Sequence, residues 1–194
     1  MNYKEQLLAK LRAAATAAYD MPTAPVQGIT YADPVAQFVE MSHTVGSQVI
    51  MAAPGDTLDV LVRRAYPEAR VIASNLPQLT IATLNPDTVA EAQGLNGTDV
   101  GVVAGQVGVA ENGCVWVAQK MKEKAVCFIS EYLVIVLPKS GVVSNMHQAY
   151  DRIEMGAYGF GSFISGPSKT ADIEQALVMG AQAARGVTVI ITDD

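Results

Sequence analysis

Cysteine, histidine and tryptophan are scarce in this 194-residue chain: two, two and one. Two thiols, Cys114 and Cys127, fall short of the four that a typical iron–sulfur cluster or an all-thiolate zinc site requires. Their neighbours are apolar (Val115 and Trp116; Val126 and Phe128). Buried free thiols are therefore expected, and no secretory context favours the alternative, a disulfide. His43 and His147 have nothing near them at metal-ligand spacing. No metal and no cofactor is expected. Positive charge is also short, with 13 Lys and Arg against 19 Asp and Glu and a net charge of −6. That argues against nucleic acid, which rewards clustered cations, and against an anionic membrane surface. No apolar run approaches the roughly 20 residues of a spanning helix. The N-terminus lacks the basic and apolar blocks of a signal peptide, so a cytoplasmic protein is expected. There is no Walker loop, no Gly-x-Gly-x-x-Gly at a strand-to-helix junction and no Gly-x-Ser-x-Gly elbow with a histidine partner.

Apolar residues are plentiful, at 50% of the chain, enough for a full core. The length suits one domain with a short arm. We divide it into an N-terminal helical arm, residues 1–42, and an α/β domain, residues 43–194. The spacing of Leu7, Leu8, Leu11, Ala14, Ala15 and Ala18 predicts a helix over 3–19. Its small residues suit packing on its own domain, a partner helix or a second copy of the chain. A second helix is expected over 33–42, with Pro34 in its first turn. From residue 46 the periodicity changes. Strands are expected at 46–52, 71–73, 79–83, 99–103, 106–110, 114–118, 133–137, 158–164 and 187–191. Helices are expected after Pro54-Gly55-Asp56, near 86–95, over 144–155 and over 171–184. Alternating strands and helices, with strands apolar on both faces, predict a mostly parallel sheet flanked by helices.

Two turns carry candidate chemistry. Glu111-Asn112-Gly113 places a carboxylate at an Asn-Gly hairpin turn between Val-rich strands. Glu111 is either an exposed strand-end residue or a nucleophile, general base or ligand anchor, with Asn112 and Gly113 beside it. The second is Ser165-Gly166-Pro167-Ser168-Lys169-Thr170-Ala171-Asp172-Ile173-Glu174. Ser168 or Thr170 can cap a helix carrying Asp172 and Glu174 in its first turn. A strand, a Gly-Ser turn and a helix N-terminus can together hold an anion. Ser165, Gly166, Ser168, Lys169, Thr170 and Asp172 are the candidate ligand-binding residues. Lys169 is either a solvated surface residue or a partner for a small anionic ligand. Asp99 is read as a turn residue.

The block at 165–174 resembles the signature of the LUD domain, the family of lactate utilization protein C. Asp99-Val100-Gly101-Val102 followed by Ala110-Glu111-Asn112-Gly113 resembles a second segment of that family, and the likeness covers about residues 40–192. There are departures. Asn112 stands where Thr is usual. Of the family's Arg-x-x-Ser-x-x-Pro-x-x-His segment only Ser130 matches. Gln182 replaces a histidine within Gly180-Ala181-Gln182-Ala183-Ala184. The resemblance implies an α/β fold of the NagB/RpiA/CoA-transferase type. It also implies an accessory or ligand-binding subunit in cytoplasmic oxidation of L-lactate to pyruvate, with iron–sulfur chemistry in partner subunits. Ala110-Glu111-Asn112-Gly113 is also similar to the Ser-Glu-Asn-Gly stretch of class I CoA transferases. That implies an alternative, an acyl-CoA or sugar-phosphate enzyme with Glu111 as nucleophile or base.

Overall fold

β6 (Tyr132–Pro138) and β11 (Gly186–Thr192) lie at the centre of a five-stranded parallel sheet. β1 (Gln48–Met51), β3 (Val100–Ala104) and β2 (Ile72–Ala73) complete it, in the order β1-β11-β6-β3-β2. The computed structural model describes residues 2–14, 27–154, 156–173 and 176–193. Successive strand residues point to opposite faces, and the core divides accordingly. Leu133, Ile135 and Leu137 of β6 pack in one cluster with Val187, Val189 and Ile191 of β11. Val134 and Ile190 pack in the other. Burial on both faces demands continuous apolar strands, each side chain contributing about 1.5–3 kcal/mol.

α3 (Leu58–Ala65) covers one face through Leu61 and Val62. Its cap is Thr57, one residue past the expected Pro54-Gly55-Asp56 turn, accepting from the Val60 N–H. The other face is covered by α2 (Pro34–Thr44), by α4 (Val126–Ile129) and by a second sheet. Asp33 caps α2, and its Phe38 is fully buried in that cluster. The second sheet joins β4 (Val107–Val109), β5 (Cys114–Ala118), β7 (Val142–Val143) and β8 (Gly161–Ile164) in the order β7-β4-β5-β8. Its β4–β5 hairpin is antiparallel, as the Asn-Gly turn implied. α5 (Met146–Arg152) packs on it, capped by Asn145. α1 (Tyr3–Ala14) buries none of its residues, and the remainder of the expected helix, 15–19, lies outside the described residues.

Two expectations are corrected. Residues 79–83 form turns rather than a strand, because the carboxylate of Asp59 on α3 takes up the Thr80 hydroxyl and the N–H groups of Thr80 and Ile81. The helix expected over 171–184 is instead an antiparallel hairpin, β9 (Lys169–Ile173) with β10 (Ala176–Met179). Backbone bonds from Ser168 N–H to the Ala184 carbonyl and from Gly180 N–H to the Ser168 carbonyl, both 2.9 Å, close it against the chain that enters β11. Tertiary pairing outweighs a capping signal worth only about 1 kcal/mol.

Candidate functional site

The two turns singled out from the sequence meet in space. Ser165 Oγ donates to the Asn112 carbonyl at 3.1 Å. Both turns also press on the C-terminal end of α2. Gly113 has φ +65°, and a Cβ there would lie 2.9 Å from the Met41–Ser42 backbone. Gly166 has φ +70°, and a Cβ would run into the Val45 carbonyl oxygen. Glycine is required at both positions by conformation and by space. Lys169 Nζ donates to that same Val45 carbonyl at 2.6 Å, which uses one of its three donors.

Glu111 is half-buried. Its Oε1 accepts from the Met146 N–H at 2.8 Å, at the start of α5, and its own N–H donates to the Ser144 carbonyl. The carboxylate thereby satisfies one of the unpaired N–H groups of a helix start. Asn112 Oδ1 accepts from the Cys114 N–H and shapes the hairpin turn. The expected helix N-terminus at 168–171 is absent, since β9 begins at Lys169, so a helix dipole offers nothing to an anion there. The side chains of Thr170 and Asp172, and all of Glu174, lie outside the described residues.

Beside this junction is a cavity of about 360 Å³. Ser165, Gly166 and Ser168 line it together with Ser162 and Gln182, over an apolar floor that includes Cys127, Ile164, Leu133 and Val187. Ser168 and Gln182 have no hydrogen-bond partner among the described side chains, so their donors are free for a ligand. Gln182, the residue at which the resemblance implies a histidine, is a lining residue. Ser130, by contrast, is buried and donates to the Val126 carbonyl, closing α4.

Neither thiol is arranged for metal chemistry. Burial pushes Cys114 up to about 12 and Cys127 up to about 11, and both are buried and free. Among the described residues no group of three or more His, Cys, Asp or Glu is placed to hold a metal ion, and no helix is long and apolar enough to cross a membrane.

A second, larger cavity of about 670 Å³ was not foreseen from the sequence. Tyr66, Tyr132, Arg185 and Thr188 line it, with Glu68, Asp99 and Glu131. Asp99 serves as the turn residue expected: its carboxylate accepts from the N–H groups of Val71 and Arg70, at 2.8 and 2.7 Å, which hold it below the usual carboxylate range. Both cavities sit at the amino ends of the parallel strands. Open α/β sheets more often bind ligands at the carboxyl ends.

A parallel sheet covered on one face by a helix and on the other by helices and a small mixed sheet, with a serine-glycine turn over a cavity, defines the class. The chain belongs to the LUD domain family, whose model matches residues 35–192. It is 35% identical to lactate utilization protein C of Shouchella clausii (strain KSM-K16) over 103 residues, covering 50% of this chain and 44% of that protein. It is 31% identical to lactate utilization protein C of Anoxybacillus flavithermus (strain DSM 21510 / WK1) over 115 residues, covering 58% and 51%. The chain spans about half the length of the relatives it matches. A crystal structure of a DUF162 family protein from Deinococcus radiodurans has the same fold, with a TM-score of 0.67 over 85% of this chain and 99% of that one at 14% identity.

Proposed function

We propose that this chain works in lactate utilization, as a metal-free, ligand-binding subunit beside iron–sulfur partners in the oxidation of L-lactate to pyruvate. The observation that carries the reading is the position of the family signature. Its residues Ser165, Gly166 and Ser168 line an uncharged, hydroxyl-rich cavity large enough for a three-carbon hydroxy acid. The Ser168 hydroxyl and the Gln182 amide are donors suited to a carboxylate. Both thiols are held protonated by burial, which suits a subunit that leaves electron transfer to others. The likeness to lactate utilization protein C supports the choice of ligand.

Reconstitution tests it. L-lactate oxidation by purified iron–sulfur partner subunits is expected to require this chain and to fall with Ser168→Val. Equal rates with and without the chain would contradict it. Glu111 supports a second reading, acyl transfer, because its Oε2 has no partner among the described residues and a held carboxylate is a competent nucleophile. Glu111→Gln separates the two. It leaves lactate oxidation intact under the first reading and abolishes transfer from an acyl-CoA under the second.

A further inference from the structure

The 670 Å³ cavity lies on the α3 face of the sheet, across β6 and β11 from the serine-lined one. Tyr66 and Tyr132 form one aromatic wall, and the Arg185 guanidinium lies over the Tyr132 ring, 4.9 Å from its centre. The Tyr66 and Tyr132 rings are 4.9 Å apart at 43°. At the bottom the hydroxyls of Tyr66 and fully buried Thr188 are 2.7 Å apart. Two hydroxyls carry two protons, and the bond between them uses one. The second proton has no acceptor among the described residues, so the floor offers a spare donor. Burial raises the Tyr66 phenol, which keeps that proton in place at neutral pH.

The rim has the opposite character. The side chains of Glu68 and Gln48 are exposed and have no hydrogen-bond partner among the described residues, so their oxygens are free to accept. Glu131 pairs with Arg185 at 2.5 Å, and Arg185 also donates to the Tyr132 hydroxyl. Asp99 is occupied by backbone N–H groups. Three carboxylates against one guanidinium leave the lining net negative. The tyrosine pair and the planar guanidinium over it favour a flat ring, the floor requires an acceptor on it, and the rim requires N–H donors. The negative lining disfavours an anion.

We propose that this cavity binds an uncharged planar heteroaromatic ring bearing amino groups, of nucleoside size. The ring lies against Tyr66 and the planar Arg185 guanidinium that covers Tyr132, a ring nitrogen accepts from the Tyr66–Thr188 pair, and an exocyclic amine donates to Glu68. The site is independent of the serine-lined cavity and of the lactate reading.

Calorimetric titration of the full chain with adenosine as the probe, and with AMP and L-lactate as comparisons, tests it. Adenosine is expected to bind saturably below millimolar concentration, and AMP at least about tenfold more weakly because of its phosphate. Gln48→Trp, at an exposed position on the rim, is expected to weaken adenosine at least about tenfold by filling the mouth. Glu68→Gln, a substitution at an exposed and unpaired side chain that leaves folding unchanged, is expected to weaken it about threefold or more. L-lactate is expected to bind equally well to both variants and to the parent. Absence of saturable adenosine binding, AMP binding as tight as adenosine, or affinity unchanged in Glu68→Gln would each overturn the proposal. Loss of lactate binding with adenosine binding intact would count against the lactate reading alone.

Discussion

Two cavities open on opposite faces of the same pair of strand starts, and their chemistry differs. Leu133 and Val187 face the cavity of the signature turn, which contains serines and a glutamine and no charged side chain. Their chain neighbours Tyr132, Gly186 and Thr188 face the other, which contains tyrosines, carboxylates and a guanidinium. Strand alternation alone separates the two environments by a single residue. One pair of strands therefore supplies a wall to each site; Val187 lines both, while Leu133 lines only the first and Tyr132 only the second.

The largest expected effect comes from Leu133→Ala. It removes a fully buried side chain from the wall of the serine cavity and should lower stability by about 2–5 kcal/mol in denaturant unfolding. It should leave the Tyr66–Tyr132 wall in place. Gly166→Ala is next. A side chain at φ +70° against the Val45 carbonyl should cost about 1–3 kcal/mol and disturb lactate binding before adenosine binding.

Asp99→Ala tests the tyrosine side. The loss of two backbone partners at a largely solvated carboxylate should cost about 1 kcal/mol at neutral pH. Because the folded state depresses this pKa, the stabilisation is complete above the ordinary carboxylate value and is lost as the pH falls below about 4. The variant should therefore lose part of the acid slope seen in the parent. Lys169→Ala should be the mildest, about 0.5 kcal/mol in thermal or denaturant unfolding, since the Nζ bond to Val45 is exposed.

The two cavities also differ in how far they could be read from sequence. β6 and β11 were legible because burial on both faces enforces unbroken apolar runs such as Leu133 to Leu137. Both turns were legible as turns, and the structure joins them through Ser165 and Asn112. The conformation after Ser168 was not legible. Its Ser, Thr and Asp residues are those of a helix start, and the competing terms are nonlocal: pairing with β10 and the bond to the Ala184 carbonyl. The tyrosine cavity left no motif at all. Tyr66, Asp99, Tyr132, Arg185 and Thr188 come from separate strands, turns and a helix end, and only the parallel register gathers them. Arg185 gave no signal as a single cation in a small-residue stretch.

The central claim, that the signature turn lines the lactate site, can be measured through the chain's one tryptophan. The Trp116 ring lies 4.8 Å from that of Phe163, whose residue lines the serine cavity, and Trp116 does not line the tyrosine cavity. Titration with L-lactate or pyruvate should change Trp116 fluorescence saturably, with the midpoint raised about tenfold in Ser168→Val. A flat response to both acids, or a midpoint that Ser168→Val leaves unmoved, would contradict the account.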